Sequence, residues 1–263
     1  MSGVTVVFDD GAAYEQGMGR WSLLVGATFL DWLAPQPGLR WLDVGCGSGA
    51  FAELLMQRCA PAELHGVDPS EAQIAYARQR EGAGGATFHL GDAMALPFPD
   101  RRFDAVVMAL VIAFVPDPAA AVGEMVRVAV PGATVATYMW DMLSEDGSPA
   151  HPIQAELRAS GIVPALVPGA PASGMVALRS VWEAASLQAI ETRAITVRRT
   201  FADFDTLWDA ATKIGTLRPI LAGLSAADTR RIKDGVRARL PADETGRIAY
   251  AARANAIKGR VPA

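Results

Sequence analysis

The spacing of hydrophobic positions changes along this chain, and the changes mark its elements. Trp21, Leu24, Val25, Thr28, Phe29 and Trp32 recur every three or four residues, which predicts an amphipathic helix over residues 20–33, ended by Pro35-Gln36-Pro37-Gly38. Residues 39–44 read as a strand. A glycine turn follows, then a helix over 50–59 with Phe51, Leu54, Leu55 and Cys59 on one face. Residues 64–67 form a second short strand ending at Asp68. Ser70 with Gln73 three residues on makes a capping box for the next helix. A glycine-rich link (82–85) leads to a strand at 86–90, closed by Gly91-Asp92. Residues 103–112 are nearly all apolar, as in a strand buried on both faces of a parallel sheet. Asp117-Pro118 pairs an N-cap with a proline at the first helical position and opens a helix to about residue 128. Pro131-Gly132 turns the chain into a further apolar strand, 133–140. Strand and helix alternate from 39 to 140, the pattern of a doubly wound α/β sheet, and such sheets bind ligands at the carboxyl ends of their strands.

Beyond Trp140 the alternation stops. Residues 142–175 are rich in proline, glycine and alanine, with one short helix expected near 153–159. A loop this long in a compact domain usually serves function, for example as a lid. A helix over 176–187, an alternating strand over 189–199 and helices over 203–214 and 225–239 follow. Residues 247–258 fit a final strand, though their alanines also allow helix. The expected organisation is an N-terminal helical segment (1–38), an α/β core (39–141), a lid-like insertion (142–175) and a C-terminal part (176–263). That last part completes the sheet and carries a cap at 200–246.

The chemistry concentrates in the run from Trp41 to Phe51. An apolar strand ends at Asp43-Val44, passes Gly45, Gly47 and Gly49, and opens a helix. Glycine permits a tight turn and the close approach of a ligand. The helix start adds free N–H groups and the positive end of a dipole. A nucleotide-like ligand fits such a loop. Gly45-x-Gly47-x-x-Ala50 satisfies the dinucleotide fingerprint, so an NAD(P) oxidoreductase is one reading. Against it stand Asp43, which would repel a pyrophosphate, the glycine at Gly49, and the further strand-end carboxylate Asp92. A cationic ligand would be favoured by Asp43.

Composition narrows the class. In 263 residues, 51% are apolar and 20% charged, enough for a real core. A formal charge of −4, with no Lys/Arg stripe, speaks against a nucleic-acid partner. The most apolar stretch, 105–115, is too short to span a bilayer. No basic segment leads into an apolar one near residue 1, so no signal peptide is expected. The two cysteines, Cys46 and Cys59, do not read as a disulfide, which fits a cytoplasmic protein.

Between Tyr14 and Asp141 the sequence resembles the class I S-adenosylmethionine (SAM) dependent methyltransferases, and among them the ubiquinone/menaquinone-biosynthesis branch. Asp43-Val-Gly-Cys-Gly-Ser-Gly49 is similar to the family's first motif and Gly66-Val-Asp68-Pro-Ser70 to its second. Gly91-Asp92-Ala93 looks like its adenine-binding motif, followed by Leu96-Pro-Phe-Pro-Asp100 and Phe103-Asp104. Val130-Pro-Gly132 resembles the turn before the fifth strand, with Ala133 where a second glycine is usual. Tyr14-Glu-Gln-Gly-Met-Gly-Arg-Trp-Ser22 looks like an upstream segment of one subgroup. The resemblance implies a Rossmann-like methyltransferase fold with a seven-strand, mostly parallel sheet and a helical cap. It also implies SAM as cofactor, with S-adenosylhomocysteine as product, and a small-molecule acceptor. It implies cofactor contacts at Asp43, Gly45, Cys46, Gly47, Asp68, Pro69, Asp92, Ala93 and Ala109, with Tyr14 closing over the cofactor and Arg20 near its methionine carboxylate. In this reading Asp68 takes the ribose hydroxyls and Asp92 the adenine amino group.

Blander readings stand beside these. Asp43 and Asp68 also suit helix caps, Asp92 a turn, and Tyr14 and Arg20 ordinary packing; Cys46 reads as a small buried filler. His65 and His89 fall within or next to strands, whereas His151 lies in the lid-like segment and is the weak candidate for a catalytic role. No metal site is expected, since Cys46, Cys59 and the histidines lack ligand spacing. Met108-Ala-Leu-Val-Ile112 replaces the Asn/Asp-Pro-Pro-Tyr/Phe of base-methylating enzymes, and Ala113-Phe114 stands where many small-molecule relatives carry a histidine or asparagine. A SAM-binding protein without transferase activity is therefore a further alternative. Apolar side chains of the lid and cap (Ile153, Val163, Leu166, Met175, Trp208, Ile214, Leu217, Ile220 and Leu221) suggest a fairly apolar acceptor. The acceptor, the atom methylated, and monomer or homodimer stay open.

Overall fold

The computed structural model describes residues 15–263; Tyr14 lies outside the described residues. A seven-stranded sheet runs in the order β3-β2-β1-β4-β5-β7-β6. Its strands are β1 (Arg40–Val44), β2 (Glu63–Asp68), β3 (Ala86–Leu90), β4 (Phe103–Ala109), β5 (Ala129–Trp140), β6 (Gln188–Phe201) and β7 (Ile248–Arg260). The first five pair in parallel, whereas β7 is antiparallel to both β5 and β6. From β1 the chain winds outward to β2 and β3, then returns to start β4 on the other side of β1. This reversal is where doubly wound sheets open a crevice for ligand.

The helices are α1 (Arg20–Leu33), α2 (Ala50–Cys59), α3 (Glu71–Ala77), α4 (Pro118–Val128), α5 (His151–Ala159), α6 (Met175–Ala184), α7 (Phe204–Thr212), α8 (Arg218–Ala222) and α9 (Ala226–Arg239). Their starts follow the sequence signals. Ser70 accepts the Gln73 N–H, and Asp117 accepts that of Ala120 ahead of Pro118. Trp21, Val25 and Phe29 put one stripe of α1 into the core, and the Phe29 ring lies 4.6 Å from that of Tyr138. Strand β4 is the centre of that core: Phe103, Val106, Val107 and Met108 are fully buried. Each such side chain contributes on the order of 1.5–3 kcal/mol of transfer free energy.

One expectation is corrected, one alternative is settled and one element is new. The turn expected at Pro131-Gly132 lies inside β5, where the ladder with β4 shifts register past Phe103. The final strand expected over 247–258 is present as β7, and the helical alternative is not. A helix at Arg218–Ala222 had no periodic signal. The Leu96–Asp100 segment has a clear physical cause: Arg127 of α4 donates to the carbonyls of Leu96 and Phe98 and to the carboxylates of Asp100 and Glu124. Those two carboxylates hold the guanidinium charged well beyond its usual range.

Candidate active site

Strands β1, β2 and β3 each deliver an acidic residue to the same end of the sheet. Asp43 lies one residue before the end of β1, Asp68 is the last residue of β2, and Asp92 follows β3 by two. All three line a cavity of about 500 Å³. The wall also includes Gly45, Cys46, Gly47, Pro69, Ala93 and Ala109, so every site residue expected between 43 and 109 is on it. Arg20 is exposed at the start of α1 and is not part of the wall.

The glycine turn has a definite shape. Gly45, Gly47 and Gly49 all take positive φ (74°, 50° and 78°). At Gly45 a side chain is excluded twice, by that φ and by Val111, whose methyl carbons would stand 2.5 and 2.7 Å from an added Cβ. The N–H groups of Gly45 and Cys46 both donate to the Val67 carbonyl, which ties the turn to the end of β2.

Asp68 is held by two backbone donors: Gly47 N–H at 2.9 Å on one oxygen and Ser70 N–H at 2.9 Å on the other. Burial pushes its carboxyl pKa up and these two bonds pull it down. A carboxylate offers about four lone-pair sites, so this one still has capacity to accept from a diol. Asp92 is exposed, and one of its oxygens accepts the Met94 N–H in a local turn. Asp43 differs from both. It is fully buried, neither oxygen has a hydrogen-bond partner, and burial, with the Asp68 charge second, pushes its pKa to about 8. A buried carboxyl of this kind is stabilised in its charged form by a cation placed nearby.

The other half of the cavity lies past the ends of β4 and β5. Phe114, Val115, Met139, Trp140, Met142 and Ile214 form its wall. Sequence reasoning found little of this half, because its residues come from separated segments. Met18, Ser22 and Leu23 come from the N-terminal helices, Met142 and Ser148 from the segment after β5, and Ile214, Gly215 and Thr216 from the cap. Of the nine apolar lid and cap residues singled out from sequence, only Ile214 is on the wall. Val163 and Leu166 are exposed, and Ile153 and Leu217 are buried elsewhere. Leu110, in the left-handed region at φ 61°, also lines the cavity. Nothing in its sequence announces that conformation.

The roof is closed by close approach. An added Cβ on Gly17 would stand 3.1 Å from the Ala210 carbonyl oxygen and 3.2 Å from the Ile214 nitrogen. Arg199 of β6 donates to the Gly17 carbonyl at 3.3 Å while stacked over Phe201.

The histidines separate. His65 Nδ1 and His89 Nε2 are 2.9 Å apart, and Arg102 Nη2 is 3.1 Å from His65 Nε2. This cluster is not on the cavity wall. His151 opens α5 with its ring edge-on to Tyr250 at 6.2 Å, and it too is off the wall. Among the described residues no cluster of three metal-ligating side chains occurs, and Cys46 and Cys59 are both free thiols.

Comparisons with known proteins agree with this geometry. Residues 42–137 match a family model described as a methyltransferase domain. The chain is 34% identical over 122 residues to a ubiquinone/menaquinone biosynthesis C-methyltransferase of Ruegeria, covering 45% of this chain and 49% of that protein. It is 44% identical over 70 residues to a fatty-acid O-methyltransferase of Mycolicibacterium smegmatis, covering 27% of this chain and 26% of that protein. It spans about half, or less, of the length of these curated relatives. A solved structure of phosphoethanolamine N-methyltransferase 2 from Haemonchus contortus, in complex with phosphomonomethylethanolamine and S-adenosylhomocysteine, shares the fold. It aligns with 95% of this chain and 56% of that one, with a TM-score of 0.58 at 19% identity. Sheet order, glycine turn and the matched segment 42–137 together make the α/β core of this chain similar to that of the SAM-dependent methyltransferases.

Proposed function

We propose that this chain binds SAM in the cavity and catalyses transfer of its methyl group to a small, fairly apolar acceptor. One observation carries the reading: three strand-end carboxylates and a left-handed glycine turn surround one half of a cavity whose other half is apolar. That arrangement suits a cationic nucleoside and disfavours a pyrophosphate, which the Asp68 and Asp92 carboxylates would repel and which would also disfavour ionisation of Asp43. The Asp68 carboxylate, oriented by Gly47 and Ser70, is placed to accept from the ribose hydroxyls, and charge-assisted bonds of this kind are strong. Asp92 is placed to accept from the adenine amino group, with Ala93 beside it. Asp43, sealed and unpartnered, has its pKa pushed to about 8, and a cationic end of the ligand beside it would favour its charged form.

When bound, SAM would supply a methyl group on a sulfonium sulfur: an electron pair of the acceptor would bond to that methyl carbon as its bond to sulfur breaks, with S-adenosylhomocysteine as the leaving group. The residues of this chain align the two molecules and exclude water, and such positioning contributes on the order of 7–11 kcal/mol. Among the described residues on the wall none is a histidine, lysine or arginine. The wall therefore favours acceptors whose nucleophile needs no proton removed by such a residue. The same observation favours a second reading, a SAM-binding protein without transfer.

A net charge of −4 supports a small-molecule rather than a nucleic-acid acceptor. No described helix is long and apolar enough to cross a membrane. A cytoplasmic setting belongs to this proposal, as do the roles of Tyr14 and Arg20. Calorimetry with SAM and Asp68→Ala tests cofactor binding, and unchanged affinity would refute it. Transfer of label from methyl-labelled SAM into fractionated metabolites decides between the two readings and identifies the acceptor.

A further inference from the structure

Outside the cavity wall, one cation holds the glycine turn from behind. Arg80 follows α3 and is largely buried, with only 16% of its side chain exposed. Its Nε donates to the Ser48 carbonyl at 2.9 Å, and its Nη1 donates to Glu53 Oε2 at 2.6 Å. Glu53 lies in the first turn of α2, where its charge also suits the helix dipole. Gly82 makes room for the pair, since a Cβ there would run into the Glu53 carboxylate. One guanidinium thus joins three segments: the glycine turn, the start of α2 and the connection from α3 to β3.

Ser48 occupies a sensitive place. Its neighbours Gly47 and Gly49 both have positive φ, and the Gly47 N–H is one of the two donors that orient Asp68. Ser48, Ala50 and Phe51 are on the cavity wall. A glycine-flanked peptide has many conformations to lose, and ordering such a loop on binding weakens affinity. Pinning the Ser48 carbonyl removes that cost in advance.

We infer that Arg80 is a positioning residue for the cofactor: held by Glu53, it fixes the Ser48 carbonyl and so keeps the Gly47 N–H on Asp68 and the start of α2 against the ligand. This rests on the cofactor reading above. A planar fork with donors in two directions is what the geometry uses, and lysine supplies only a point charge.

The test measures SAM affinity by calorimetry, and thermal midpoints without ligand, for the full chain and for Arg80→Gln, Arg80→Lys and Glu53→Gln. Arg40→Gln is the control for general destabilisation. It breaks a comparable pair with Asp104 at the opposite ends of β1 and β4. The expected result is a loss of about tenfold in SAM affinity for Arg80→Gln, the size of one good hydrogen bond to a charged group. Arg80→Lys and Glu53→Gln should fall between it and the wild type, and Arg40→Gln within twofold of the wild type. A folded Arg80→Gln chain that binds SAM within twofold of wild type overturns the inference, and so does an equal loss in Arg40→Gln. If Arg80→Gln does not fold, wild-type affinity in both Arg80→Lys and Glu53→Gln overturns it. Failure of the wild-type chain to bind SAM is a different result, and it overturns the cofactor reading itself.

Discussion

Replacing Gly45 by alanine tests the account of the glycine turn at its tightest point. The new Cβ meets two separate penalties. At φ 74° an L-residue sits in the left-handed region, which costs roughly 1–2 kcal/mol. The Cβ also stands 2.5 and 2.7 Å from the Val111 methyl carbons, and overpacking of this kind typically costs about 1–3 kcal/mol. The sum is about 2–5 kcal/mol, a large part of the roughly 5–15 kcal/mol that stabilises a typical domain. Only the steric part depends on Val111, so Val111→Ala separates the two. The double variant should be more stable than the two single losses added together, with a coupling of about 1–3 kcal/mol. The remaining deficit is the backbone strain, together with whatever Val111→Ala costs alone. Urea unfolding of the four proteins, with slopes compared to check two-state behaviour, gives the cycle. Additivity within about 0.5 kcal/mol would refute the claim that Val111 excludes a side chain at Gly45.

Two other expectations follow from the roof and from the histidine pair. Gly17→Ala places a methyl group against backbone of the Ala210–Ile214 stretch, which has little room to give. Hydrogen exchange at the amides of residues 213–217 should speed up and the unfolding midpoint should fall by several degrees, whereas unchanged protection would contradict the packing. For His65 and His89, burial lowers both pKa values first, with Arg102 next for His65 and the partner histidine next for His89. The groups facing them are Glu63, Arg102 and Arg78, of which Glu63 raises the His65 pKa, Arg102 lowers both and Arg78 lowers that of His89. A base whose pKa falls on folding contributes stability that is full above its unfolded value of about 6.5 and is lost as pH drops through the folded value. Asp43, raised to about 8, acts with the opposite sign over the same range. The stability of wild type relative to His89→Gln, in which the Asp43 contribution cancels, should therefore decrease from pH 7.5 to 5.5. A difference that is flat with pH would contradict the pairing.

Local signals specified much of this molecule. The helices at 20–33 and 50–59 and the strand at 86–90 follow directly from hydrophobic period and glycine or proline punctuation. The carboxylate-lined half of the cavity was legible for a related reason. Each of its carboxylates sits at the end of a strand, and in a parallel sheet strand ends converge, so order along the chain nearly fixes position in space. The apolar half had no such rule. Met18, Met142 and Ile214 come from segments more than seventy residues apart, and Gly17 lets the N-terminal turn pack closely on the cap at 210–214. Arg80 was equally silent in the sequence: its role depends on the Ser48 carbonyl 32 residues earlier and on the space left by Gly82. The sequence alone determined the winding of the core and the glycine turn with its three aspartates, because these depend on residues close along the chain. Only the tertiary structure decided the shape of the apolar wall, the sealed state of Asp43 and the brace behind the turn. Those arise from contacts between distant segments, where packing and burial, rather than local propensity, set the outcome.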